Sequence, residues 1–116
     1  MDFWLGLETL VRGGKIVIDR PKGSVHPRYP SIVYPLDYGF VEDTTGGDGQ
    51  AVDVWRGSLD RSPLVGIVCT VDRLKRDAEV KLLLGCTPEE VDTILSFHND
   101  SGMMSAIAVW RDEAER

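Results

Sequence analysis

Apolar residues recur along this chain with two different periods. Over residues 3–12, Trp4, Leu7, Leu10 and Val11 share one side of a 3.6-residue repeat and Gly13-Gly14 follows, which predicts a short amphipathic helix with a glycine stop. KIVID (15–19), AVDVW (51–55), LVGIVCTV (64–71) and VKLLLG (80–85) are short β-branched or leucine-rich runs between turn residues, and they predict strands. Thr87-Pro88-Glu89-Glu90 places Thr at an N-cap, Pro at the first helical position and Glu three residues after the cap. That capping box opens a helix with Val91, Ile94, Leu95 and His98 on one face. MMSAIAVW, after Ser101-Gly102, predicts a closing strand. Pro21, Pro27, Pro30 and Pro35 cannot donate to a central ladder, so 21–35 is expected to be irregular or an edge, and a candidate binding loop. The predicted class is α+β, mainly β: a small barrel or strongly bent sheet with a helix towards each end.

Composition narrows this picture. The 116 residues suit one domain spanning 1–116, and 42% hydrophobic with 28% charged residues predicts an ordered globular core. Disorder is expected only in the terminal RDEAER. The net charge of -6 without a basic run argues against nucleic-acid binding and suits cations. No apolar run approaches the ~18 residues that a bilayer span needs, and MDFWLGLETLVRGG lacks a signal-peptide pattern, so no membrane partner and a cytoplasmic location are expected. Cys69 and Cys86 lie apart in apolar stretches and read as buried reduced thiols.

The chemistry gathers on four aspartates that bracket strands. Asp48 and Asp53 lie in GGDGQAVDVW, and Asp72 and Asp77 lie in TVDRLKRDAEV on either side of a turn. If these strands are neighbours, all four carboxylates converge at one end of the sheet. Hard cations such as Mg2+ take oxygen ligands, and a few carboxylates with water and substrate phosphate complete their shell. The same residues are equally the favoured caps of their own turns.

The stretch VYPLDYGFVEDTTGGDGQAVDVW (33–55) resembles the YPxxYGxI segment and DxDxxD signature of the soluble (family I) inorganic pyrophosphatases, in the same order and with the same gap. VDRLKRDAE (71–79) is similar to that family's next aspartate pair, and IVIDRPKGS (16–24) to its first-strand EIPKGS segment. The chain thus looks like a shortened, divergent member, matched over about residues 16–85. The resemblance implies an OB-like barrel, closed or partly closed, and hydrolysis of pyrophosphate or a related phosphoanhydride by metal-activated water. It implies Mg2+, or Mn2+ in its place, at Asp48, Asp53, Asp72 and Asp77. Asp48, Asp53, Tyr38 and Gln50 fall at catalytic positions, Lys22, Arg28 and Tyr34 at substrate-binding ones, and Asp19 stands for the first-strand glutamate. Tyr34 and Tyr38 read equally as packing residues with wet hydroxyls, and Arg28 as a solvated loop charge. A small phosphate-containing substrate and self-association complete the expectation; the alternative is a cation- or phosphate-binding module without turnover.

Two positions and one missing segment depart from the family pattern. The middle aspartate of DxDxxD, which orients the attacking water, is Gln50, whose amide holds a water but accepts no proton at neutral pH. The lysine expected after the second pair is Glu79, and the hairpin between Arg28 and Tyr34 is missing. Lys22, Arg73, Lys75, Arg76 and Lys81 either refill the lost positive charge or are solvated surface charges. His98, on an apolar helix face, reads as a packing residue.

Overall fold

The computed structural model describes residues 2–111. Helix α1 (Phe3–Gly13) is followed by strands β1 (Ile16–Arg20), β2 (Asp37–Val41), β3 (Asp53–Arg56), β4 (Leu64–Asp72) and β5 (Asp77–Leu84). Helix α2 (Pro88–Asn99) and strand β6 (Met104–Trp110) close the chain. The fold is α+β and mainly β, as the hydrophobic pattern predicts. One mixed sheet runs β1-β2-β3-β5-β4-β6, and its only parallel pair among the described residues is β3 with β5. β1 and β6 are its outer strands and, among the described residues, do not pair with each other, so the sheet is not a closed barrel, consistent with a partly closed one.

The register explains where the polar residues go. β4 and β5 form an antiparallel hairpin whose last pair before the turn is Asp72 with Asp77. β3 joins β5 through Val54–Leu82 and Trp55–Leu83, so Asp53 and Lys81 stand one step before that pairing on adjacent strands. Side chains alternate across a strand, and Asp77, Glu79 and Lys81 therefore share the face that carries Leu83. That face packs on α2 through Trp55, Val65, Val68, Leu83, Val91 and Ile94. The opposite face buries Val54, Ile67, Leu82 and Leu84 with Trp4, Leu7 and Val11 of α1. A strand covered on both faces needs no alternation, hence the unbroken Leu82-Leu83-Leu84. Each such side chain contributes about 1.5–3 kcal/mol by leaving water.

Both helices begin as their sequences dictate. Asp2 accepts the Leu5 N–H at 2.9 Å to cap α1. At α2 the Thr87 hydroxyl accepts from Glu90 N–H, and the Glu90 carboxylate accepts from Thr87 N–H, the reciprocal box. Helix α1 stops at its glycines as predicted, with Gly13 its last residue and Gly14 its C-cap; Gly14 has extended backbone (φ -129°), and a Cβ there would meet the Glu42 carbonyl oxygen at 2.5 Å. Gly39 has the same role between β1 and β2, where a side chain would collide with Val17. Residues 21–35 hold no named strand, only the isolated Val25–Val33 bridge, in line with their prolines. The terminal expectation is corrected at Arg111, which is buried and bound to Glu8 of α1; the rest of RDEAER lies outside the described residues. Cys86 is buried, which pushes its thiol up to about 12, whereas Cys69 is only half-buried.

Candidate functional site

Past the α2-covered core, the same sheet face opens into a cavity of about 860 Å³. Asp48, Asp53, Asp72 and Asp77 all line it, with Gln50, Tyr34 and Tyr38. The two aspartate pairs, 19 or more positions apart in sequence, border the same cavity because β3 pairs with β5 and β5 turns back into β4. Asp19 also lines the cavity; Lys22 and Arg28 are exposed and are not among its walls. The Lys22 N–H donates instead to Asp37, and that aspartate pairs with Arg56.

The aromatic wall is continuous. Trp55 stands between Tyr38 (ring centroids 4.7 Å), Tyr34 (6.1 Å) and Phe97 (5.5 Å). Its indole N–H donates to Nε2 of His98 at 3.3 Å. His98 is 4% exposed, and burial, followed by the nearby Lys81 charge, lowers its pKa to about 4. It is a neutral packing residue, as its helical position predicts.

At the deep end stands Lys81, 4% exposed. Its ammonium donates to the Tyr38 hydroxyl at 2.7 Å, Asp53 Oδ2 at 3.0 Å and Glu79 Oε2 at 2.9 Å. The Tyr38 hydroxyl donates in turn to Asp53 Oδ2 at 2.7 Å. Burial alone favours neutral lysine, but the Tyr38 oxygen and the Asp53 and Glu79 carboxylates outweigh it, and the net shift is upward. Of the two readings open for this lysine, solvated surface charge is thereby excluded. Burial raises the Tyr38 hydroxyl's pKa as well.

The outer carboxylates are held differently. Asp48 Oδ1 accepts the Gln50 N–H at 2.9 Å, and Asp72 Oδ1 accepts those of Leu74 and Lys75 at 2.9 and 3.0 Å, so both cap their own turns while facing the cavity. A hydrogen bond from Glu79, then the Gln50 amide, keeps Asp48 below its usual range. Burial, then the neighbouring Asp48, raises the pKa of Glu79, against the pull of the Lys81 ammonium. Among the described residues no three His, Cys, Asp or Glu side chains enclose an ion by themselves. The donor chemistry still suits a hard cation: all-oxygen, with one or two carboxylates facing a space wide enough for water and phosphate.

Among the described residues, Arg20 and Lys75 are the cationic side chains that reach the cavity besides Lys81. Arg20, which the motif comparison passes over, places its guanidinium 5.9 Å from the Tyr34 ring centre. Strand parity puts residues 77, 79 and 81 on one face, but it does not tell which face, or which strand end, borders the cavity.

No protein-family profile matches the chain, and no curated protein matches it. Solved structures do share its architecture. An inorganic pyrophosphatase from Neisseria gonorrhoeae superposes with a TM-score of 0.58 at 18% identity, over 88% of this chain and 76% of that one. The Helicobacter pylori inorganic pyrophosphatase gives 0.55 at 20% identity, over 88% and 78%. One from Coxiella burnetii gives 0.51 at 21% identity, over 72% and 67%. What the chain has in common with these proteins is the fold, a pyrophosphatase-like one.

Proposed function

We propose that the cavity takes a small phosphate-containing compound together with a divalent cation, Mg2+ or Mn2+, and hydrolyses pyrophosphate or a related phosphoanhydride. The observation that carries this reading is that Asp48, Asp53, Asp72 and Asp77 all border one cavity within a pyrophosphatase-like fold. The carboxylates of Asp48, Asp72 and Asp77 are available to such an ion, with Asp53 already neutralised by Lys81. A divalent cation there would neutralise phosphate charge and make water more acidic. Arg20 and Lys75 supply the positive charge that holds the anion. Gln50 orients a water by its amide without taking the proton, so turnover is slow compared with an enzyme that has a carboxylate at this position. Exposed Val71, Val80 and Ile107 support self-association, and the cytoplasm remains the expected location.

The second reading is a phosphate-compound binding module without turnover. It is favoured by Gln50 and by the buried Lys81 charge among the carboxylates. Phosphate release from pyrophosphate, and then from nucleoside polyphosphates, separates the two when measured with Mg2+ and with Mn2+. Release supports hydrolysis, and Gln50→Asp is expected to increase it by about tenfold or more. Calorimetric binding of pyrophosphate with no release from any substrate supports the module. Neither binding nor release would overturn both.

A further inference from the structure

Lys81 is unusual in having nothing left to give. An ammonium carries three N–H donors, and here they meet three acceptors: the Tyr38 hydroxyl, Asp53 and Glu79. A lysine that grips phosphate keeps at least one donor for the ligand. Asp53 is equally committed at Oδ2, which receives both the Lys81 ammonium and the Tyr38 hydroxyl. A carboxylate oxygen offers about two acceptor positions, so this one has none over for a metal ion. A Mg2+ ion at the ~2.1 Å that its ligands require would also stand close to a fixed positive charge with little water between them.

Strand parity explains why the ammonium is there. Glu79 and Lys81 lie two apart on β5 and share a face, with Asp53 on the adjacent parallel strand. The acidic residue stands outward beside Asp48, and the basic one stands inward beside Asp53.

We propose that Lys81 is a resident cation that takes the place of a divalent ion at Asp53, confining divalent cations to the outer carboxylates of Asp48, Asp72 and Asp77. This inference rests on the functional reading above for its metal, yet it concerns binding and not turnover. The chain thereby dispenses with one ion at the inner end of its site and binds fewer divalent cations than four converging aspartates would suggest.

The test counts Mn2+ ions by electron paramagnetic resonance, with calorimetry for affinity, in the full chain. Lys81→Met is expected to bind one more Mn2+ per chain than the unaltered protein, and the added change Asp53→Asn is expected to abolish the gain. In the unaltered background, Asp53→Asn is expected to leave Mn2+ stoichiometry and affinity within about twofold, a measurement that stands even if Lys81→Met fails to fold. A folded Lys81→Met with no added ion overturns the proposal, as does a tenfold or greater loss of Mn2+ affinity on Asp53→Asn alone. Should the unaltered chain bind no Mn2+ while Lys81→Met binds one, the resident-cation proposal holds and hydrolysis with a divalent cation falls. If neither binds any, the proposal falls too.

Discussion

Replacing His98 by Gln should flatten the acid side of the stability profile. The Trp55 indole donates to His98 Nε2, so the proton of neutral His98 lies on Nδ1, a buried atom with no hydrogen-bond partner among the described residues. Protonation would bury a charge and set it near Lys81, which is why the folded-state pKa falls to about 4. A folded-state value below the unfolded one means that His98 contributes stability that is complete above about pH 6.5 and is lost as the pH falls towards 4. At about 1.4 kcal/mol per unit, the loss reaches roughly 2 kcal/mol by pH 5 and roughly 3 kcal/mol by pH 4. For a chain of this size 2 kcal/mol is about 8 °C in melting temperature. Gln keeps an acceptor for Trp55 without a titration. Urea denaturation of both proteins at pH 7 and pH 5 makes the comparison, and the other titrating groups, His26 and Glu79 among them, are common to both proteins and cancel. If His98→Gln loses as much stability between pH 7 and pH 5 as the unaltered chain, the reasoning about a buried neutral imidazole is wrong.

Three further substitutions probe the frame of the site. Glu90 caps α2 and also accepts from the Ser58 amide and hydroxyl, so Glu90→Ala should cost about 1–2 kcal/mol, read as a fall in melting temperature. Ile94 is fully buried between α2 and the sheet, and Ile94→Ala should cost about 2–5 kcal/mol in chemical denaturation. Tyr38→Phe leaves Lys81 and Asp53 each short of one partner; denaturation should register a loss of about 1–3 kcal/mol.

Local signals carried most of the fold. Thr87, Pro88 and Glu90 are neighbours in sequence and their capping box forms as their spacing dictates, while the alternation or continuity of apolar residues located β3, β4, β5 and β6. No strand was assigned to 37–41, since Pro35 and Gly39 hide it; Gly39 is there because β1 comes too close for a side chain. The aspartates of the candidate site are visible because they occur in two compact motifs, and their sharing of one cavity depends on strand adjacency. Lys81 was not separable from a surface charge, because its burial depends on a parallel pairing between β3 and β5, a long-range fact that no local pattern encodes. Arg20 escaped for the same reason, since a strand end reveals nothing of which cavity it borders.

The most direct measurement of the central claim is calorimetric titration of pyrophosphate into the chain, with and without Mg2+, repeated on the double variant Asp72→Asn/Asp77→Asn. If carboxylates from the β4–β5 turn act together with those beside β3, pyrophosphate binds with Mg2+ present, binds far more weakly without it, and loses its Mg2+ dependence in the double variant. Binding that ignores both Mg2+ and the double substitution, or no binding under any condition, would contradict a cation-assisted phosphate site at this end of the sheet.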